Sequence, residues 1–410
     1  MLSLWYIIIM SNIARCQYID KIQDYLDKPQ IIKVITGMRR TGKSYFLRQV
    51  IELIKSKFTK SQIIYIDKES LDFELIQNYK DLNQYIKTEI DKKKKTFLFI
   101  DEIQEIEGWE KAIRSFYNTE KIDIYITGSN SDLLSSELSS YLSGRYIEFP
   151  IYPLSFKEFL DFRKDQKQDQ KQEFLNFLRY GGLPGIHLLE LQDENSFNYI
   201  QSVFNTIVLK DVVKKYEIRN VALLENIAIY AFKHLGSNLS AKNIADFLKE
   251  KKISAGNDTI QNYLYYLCSA YIFDKARIYD IKGKKIFEIN DKYFCNDHGL
   301  KHALLGYKEG DIAGLLENIV YLELKRRGYK VYVGKLNNLE IDFMAESGGK
   351  KLYIQVCYLL ESKKTIEREF KPLLEIQDNY PKYVVSMDEL FEADYEGIGR
   401  KNIRDFLLDN

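Results

Sequence analysis

The chain has 410 residues, with 60 Lys and Arg against 59 Asp and Glu and a formal charge of +1. That length implies two to four domains, and that balance excludes a global pull toward nucleic acid, membrane or acidic partners; any such contact must be a local patch. The four cysteines (Cys16, Cys268, Cys295, Cys357) lie far apart with no C-x-x-C, which argues against a disulfide framework or a zinc site and fits a reducing cytosol.

The chain opens on MLSLWYIIIM. This apolar head is shorter than the roughly 20 residues needed to cross a bilayer, and no basic segment precedes it as in a signal peptide. Either the segment packs on the body or Met10 is the true start, and the second reading is preferred. With no export or membrane signal, the expected compartment is the cytoplasm.

A short helix at Tyr18 to Leu26 leads through Pro29 to Ile31–Thr36, an apolar, branched run that predicts a buried parallel strand. It ends in GMRRTGKS, which fits G-x-x-x-x-G-K-[ST] over Gly37, Met38, Arg39, Arg40, Thr41, Gly42, Lys43 and Ser44. Tyr45 to Ile54 continues at helical spacing. Strand, glycine loop and helix together form a phosphate cradle: the glycines let backbone N–H groups turn inward, and the new helix points its positive end at the anion. Lys43 is expected to reach the β- and γ-phosphates of ATP, and Ser44 to place its hydroxyl on Mg²⁺. Arg39 and Arg40 read as exposed or as contacts to another domain.

Further strands follow at Ser61–Asp67, Thr96–Ile100, Ile122–Thr127 and Arg145–Phe149, alternating with helices at Tyr79–Lys95 and Trp109–Tyr117. This alternation predicts an α/β parallel sheet covered on both faces. The lysine run closing the 79–95 helix reads as its solvated end. FLFIDE supplies the acidic partner that a P-loop requires, Asp101 for Mg²⁺ and Glu102 to polarise the attacking water. The next strand ends in TGSN, where Ser129 or Asn130 is placed to sense the γ-phosphate or orient the water. Arg145 is a candidate arginine finger, acting in trans if the chain oligomerises.

After Pro150 the pattern turns helical, with PLSFKEFLDF, a polar tract at Arg163 to Gln172, a break at Gly181, Gly182 and Pro184, and a long helix from Asn195 to Tyr216. Between Asn238 and Phe294, a helix capped by Ser240, a turn, a helix from Thr259 and two strands about Gly283 read as a winged helix. From Leu300 a last unit follows: a helix at Ala313–Arg327, three strands (Lys330–Val333, Leu339–Ala345, Leu352–Tyr358), a helix at Thr365–Ile376 and a strand at Tyr383–Met387.

GMRRTGKS, FLFIDEIQ, ITGSNS, SGRYIEFPIYPLSFKEFL and YGGLPGI, together with LENIVYLELKRRGYKVYVGKLNNLEIDFMA and YIQVCY, resemble the bacterial and archaeal AAA-type ATPases that carry a C-terminal domain of unknown function. The resemblance runs from about residue 12 to the end. It implies an AAA-like P-loop NTPase fold, ATP and Mg²⁺, with Lys43, Ser44, Asp101, Glu102, Asn130 and Arg145 in the family's site positions. The expected division is a P-loop core over 12–150, a helical lid over 151–216, a winged-helix domain over 217–296 and a C-terminal α/β nuclease-like domain over 297–410.

Two regions are candidates for target binding. The second helix of the winged-helix segment offers Asn257, Thr259, Gln261 and Asn262 to DNA, and Lys282, Lys284 and Lys285 lie in its hairpin. Yet that helix lacks basic residues, and such modules also contact proteins. The last unit resembles the PD-(D/E)xK nuclease fold, with Glu317, Asp342 and Gln355 at its acidic positions. Cys357 stands where the lysine belongs, so binding without cleavage is expected. His298 and His302 have a spacing that allows a metal pair, but no third ligand beyond Asp297 is evident, and they read as solvated helix residues. The functional reading is an ATP-hydrolysing switch that couples nucleotide state to DNA, a protein partner or a second copy of the chain. A nucleotide-gated scaffold with little turnover and an ATP-dependent nuclease are the alternatives; Glu102 argues against the first and Cys357 against the second.

Overall fold

The structure, a computed structural model, describes residues 13–119, 121–134, 144–164, 169–287, 291–389 and 394–409. The apolar head, and with it the expectation about Met10, lies outside them, as do parts of the serine-rich segment after residue 134 and of the polar tract. The chain divides into two compact units, one of residues up to 151 with 269–271, the other of 152–268 and 272 onward. Among the described residues no helix is long and apolar enough to cross a membrane.

The first unit is built on five parallel strands: β1 Ile32–Thr36, β2 Gln62–Asp67, β3 Thr96–Asp101, β4 Asp123–Gly128 and β5 Tyr146–Pro150, in the order β2-β3-β4-β1-β5. β1, β3 and β4 are buried along their whole length, as a sheet covered on both faces requires. Successive side chains go to opposite faces. Leu98, Ile100, Ile124 and Ile126 pack with Leu82 and Ile86 of α3 (Tyr79–Glu89) and Ile113 and Phe116 of α4 (Trp109–Thr119). Phe97, Phe99 and Tyr125 pack with Tyr18 and Ile22 of α1 (Cys16–Gln23) and Phe46, Val50 and Ile54 of α2 (Lys43–Lys57).

The second unit starts with helices α5 Phe156–Phe162, α6 Gln170–Tyr180 and α7 Asp193–Thr206, the last running into a π-helical turn over Ile207–Lys214. Next come α8 Val221–Lys233, α9 Ala241–Glu250 and α10 Asn257–Ser269, then the short strands β6 Phe273–Ala276, β7 Ile278–Asp280, β8 Lys285–Ile286 and β9 Lys292–Cys295. As expected, Ser240 caps α9, its hydroxyl accepting from the Asn243 N–H. After α11 His298–Leu305 and α12 Ile312–Arg326 come β10 Lys330–Leu336, β11 Leu339–Ser347, β12 Lys350–Val356, α13 Lys363–Leu374, β13 Lys382–Ser386, β14 Asp394–Tyr395, β15 Ile398–Asn402 and α14 Ile403–Leu408.

Two expectations change here. The hairpin about Gly283 does not pair with the strands beside the helices. Those strands, β6 and β9, make their own antiparallel ladder, while β7 and β8 extend an eight-stranded sheet ordered β14-β15-β13-β12-β11-β10-β7-β8. That sheet crosses the expected boundary at 296/297. His298 and His302 are not solvated, since each is 2% exposed. The His298 ring nitrogen Nε2 lies 2.6 Å from the Phe177 carbonyl, and burial pushes His298 down to about 4 and His302 to about 3, so both stay neutral. Among the described residues, no group of three or more His, Cys, Asp or Glu is placed to hold a metal.

The sheet of the first unit carries one buried charge pair that its apolar pattern hides. Lys33 in β1 is 0% exposed and its ammonium bonds the Asp123 carboxylate of β4. The pair is finished by the Lys28 carbonyl at 2.9 Å from Lys33 Nζ and by the Asp27 N–H and Tyr125 hydroxyl, each 2.9 Å from Asp123 Oδ2. Removing one partner strands the other without solvent, so Asp123→Ala should destabilise the unit by about 3–5 kcal/mol. The joint change Lys33→Met with Asp123→Asn should recover part of that loss. Urea unfolding of both variants checks this, and an Asp123→Ala protein as stable as the parent would refute it.

Candidate functional site

The site is assembled at the carboxyl ends of β1, β3 and β4. β1 delivers the glycine loop, and the loop's shape comes from contacts as well as sequence. Gly37 has φ +139, and a Cβ there would lie 2.2 Å from the Ile151 carbonyl oxygen, so only glycine fits. Gly42, at φ +96, turns the chain into α2 as its N-cap. Thr41 is fully buried, its hydroxyl donating to the Met38 carbonyl at 2.8 Å. From outside the motif, Arg15 braces the loop: its guanidinium donates to the Thr41 carbonyl at 2.9 Å, and its own N–H is held by Gln49 of α2 at 3.2 Å. Nothing in the sequence pattern singled out Arg15.

Lys43 is 4% exposed, with Nζ 3.3 Å from the Met38 carbonyl and 3.5 Å from Glu102 Oε1. Glu102, 6% exposed, sits at φ 52, ψ 52, in the left-handed region. Burial acts to raise its carboxyl, but Lys43 and Arg39 outweigh that and hold it below the usual carboxylate range, so it stands ionised. Gln104 donates to its other oxygen. Asp101 is pushed above the ordinary carboxylate value by burial, with hydrogen bonds from the Thr127 and Ser44 hydroxyls acting against the shift.

Thr127 of β4 links the two acids, its hydroxyl donating to Asp101 and accepting the Glu102 N–H at 2.9 Å. The sequence reading looked two and three residues further on. There, Ser129 bonds Gln104 at 3.3 Å and contributes a hydrogen bond to Glu102, while Asn130 uses Oδ1 to accept the Asp132 N–H at 2.9 Å. Arg39, expected to be exposed, is 6% exposed and its guanidinium pairs with Glu69 at 2.8 Å. Arg40 is exposed at φ 69, and Tyr45 is half-buried on α2.

Arg145 is not brought to this site. It precedes β5, whose register sets Tyr146 beside Ile32 and Pro150 beside Thr36, so about 13 Å of strand separates it from the loop. It is exposed, stacked over the Tyr117 ring at 5.1 Å.

The donor set fits the group that the motif implies. An ammonium and the N-terminus of a 15-residue helix face the loop interior, suited to phosphate. The Ser44 hydroxyl and Asp101 carboxylate, already bonded to each other, are hard oxygen ligands suited to Mg²⁺.

The AAA domain family matches residues 29–160, which hold the glycine loop and both acids. A domain of unknown function (DUF8612) matches residues 171–311. An uncharacterized protein of Haemophilus influenzae is 35% identical over 400 residues, 97% of this chain and 98% of that one. An uncharacterized protein of Methanocaldococcus jannaschii is 37% identical over 361 residues, 84% of this chain and 78% of its own. Among solved structures, the Walker-type ATPase PABY2304 of Pyrococcus abyssi shares the fold at a TM-score of 0.50 and 14% identity, covering 71% of this chain and 95% of that one. Matched over 97% of its length by a relative at that identity, the chain belongs to one family with these uncharacterized proteins, and over its site it is an AAA-type P-loop domain.

Proposed function

We propose that the protein is a Mg²⁺-dependent ATP-hydrolysing switch whose nucleotide state governs contact with DNA or a protein. The observation that carries the reading is the buried Lys43 ammonium 3.5 Å from an ionised Glu102 at the mouth of the glycine loop. Lys43 takes a phosphate oxygen in place of Glu102, and Ser44 and Asp101 hold the cation. Released from Lys43, Glu102 polarises the attacking water, oriented by Gln104 and Ser129. Thr127 keeps the two acids in register. Bound Mg-ATP supplies the scissile phosphoanhydride and the charge that these residues stabilise.

For the target, the region over 217–296 is read as a winged-helix module. Asn257, Gln261 and Asn262 on α10 are exposed, as are Lys282, Lys284 and Lys285 at the hairpin. Polar side chains that can reach base edges and lysines that can meet phosphates support a DNA partner. Arg145, exposed at the other end of the sheet, serves as a finger only from a second copy of the chain. The residues following 297 are read as a nuclease-like fold used for binding. Steady-state ATP hydrolysis with and without DNA tests the reading: a rate above background that DNA changes supports it, and a protein that binds no ATP refutes it.

Three substitutions probe the site. Lys43→Ala should weaken Mg-ATP binding about 10- to 100-fold, as loss of hydrogen bonds to a charged group does. Equilibrium titration measures it, with circular dichroism verifying the fold. Glu102→Gln should keep binding and lose about a hundredfold in turnover, the scale of a general base. Thr127→Val keeps the side-chain shape but removes the hydroxyl between the acids. It should lower kcat about tenfold or more while KM moves less, since the group lost acts on Asp101 and Glu102 together.

A further inference from the structure

Arg39 lies inside the glycine loop, yet no step of the ATPase chemistry uses it. The peptide bond it shares with Met38 lines the Lys43 ammonium: the Met38 carbonyl is 3.3 Å from Lys43 Nζ, which is in turn 3.5 Å from Glu102 Oε1. The Arg39 side chain is 8% exposed, while that of a partner, Glu69 in the segment after β2, is 56% exposed; the two meet at 2.8 Å. Arg40, next in the loop, is exposed, and Arg145 stands at the far end of β5.

A guanidinium is permanently charged, and its planar fork of donors fits a phosphate as well as a carboxylate. A nearly buried cation is tolerated only when an anion faces it. A carboxylate more than half exposed is a weak partner, because solvent screens the pair. Arg39 is thus a strong phosphate ligand held by an anion that is readily exchanged. Its charge also reaches the acid assigned to the attacking water: burial acts to raise the Glu102 carboxyl, and Lys43 and then Arg39 outweigh it. A lysine at the Lys43 position reaches both the β- and the γ-phosphate, so it serves ADP and ATP alike. A second cation on the Glu102 side meets charge that only the triphosphate brings.

We propose that Arg39 is the residue by which the site distinguishes ATP from ADP, its guanidinium exchanging Glu69 for the γ-phosphate. The assignment rests on the ATPase reading and gives recognition of the third phosphate to a side chain of the loop itself, supplied in cis. No covalent bond changes in the exchange; one anion replaces another on the same cation. Glu69 and the γ-phosphate therefore compete, and weakening the first strengthens the second.

The test is calorimetric titration of the full-length chain, in Mg²⁺, with ADP and with the non-hydrolysable β,γ-methylene analogue of ATP. Arg39→Gln should weaken the triphosphate about 10- to 100-fold, the range for hydrogen bonds to a charged group, and leave ADP nearly unchanged. Arg39→Lys, a point charge without the fork, should fall between the parent and Arg39→Gln. Glu69→Gln keeps the side-chain shape and removes the competing charge. It should tighten the triphosphate about two- to fivefold, the worth of an exposed ion pair, with ADP unmoved. A purely structural Arg39 would instead lower both affinities together, and Glu69→Gln would tighten neither. Circular dichroism verifies the folded state, and if Arg39→Gln does not fold, the Glu69→Gln result decides. A triphosphate-to-diphosphate ratio unchanged in these variants, while the parent binds both nucleotides, overturns the assignment and leaves the ATPase reading standing. A parent that binds neither overturns both.

Discussion

The hydroxyl of Thr127 is the point on which the first unit's chemistry turns. With the strand order β2-β3-β4-β1-β5, β4 lies between the strand that delivers the glycine loop and the strand that delivers the acids. The edges that carry the loop and the acids are therefore not hydrogen-bonded neighbours. From β4 between them, Thr127 bonds the side chain of one acid and the backbone of the other, beside the direct contacts of Lys43 with Glu102 and of Ser44 with Asp101. Register along β3 and β4 is in turn fixed by the alternating cores on the two faces, where Phe99 stacks on Tyr125 at 4.6 Å. Core packing thus sets the position of a functional hydroxyl without any residue in common.

The site is also built against its own stability. Lys43, Asp101 and Glu102 are all nearly buried charges, and burial alone disfavours each carboxylate. They are tolerated because each satisfies another: Lys43 offsets Glu102, and Ser44 and Thr127 offset Asp101. Such an arrangement is polarised by its own charges, with no reorganisation of its surroundings needed to create the field.

Much of this was legible in the sequence. The glycine loop, the acid pair and the alternation of strands and helices are local patterns, and local patterns survive into the fold. So did most elements of the second unit; Lys330–Leu336 and Leu339–Ser347 differ from their expected spans only at their ends. What escaped depends on partners distant in the chain. Lys33 looks out of place in an apolar strand until Asp123 is beside it, 90 residues away. Arg39 reads as exposed because its partner, Glu69, lies beyond a helix and a strand. Arg15 has no motif at all. His298 and His302 have the spacing of surface ligands, but α11 packs against α6, α7 and α8, which buries both rings. The strands β14 and β15 are too short, and Asp394–Asn402 too rich in glycine and charge, to give a periodic signal.

The hairpin at Gly283 has a mechanical meaning. The chain leaves α10, makes one strand of the small ladder, and within two residues of Ala276 is already pairing Ile278 with Val333 in the large sheet. It then returns through β9 to the small ladder. Adjacent strands of one segment therefore serve two sheets, with only Arg277 between the end of β6 and the start of β7. No spacer longer than that residue is present there to take up a tilt of the three-helix segment. Parting the small ladder from the eight-stranded sheet here would strain backbone pairing on both sides of Arg277.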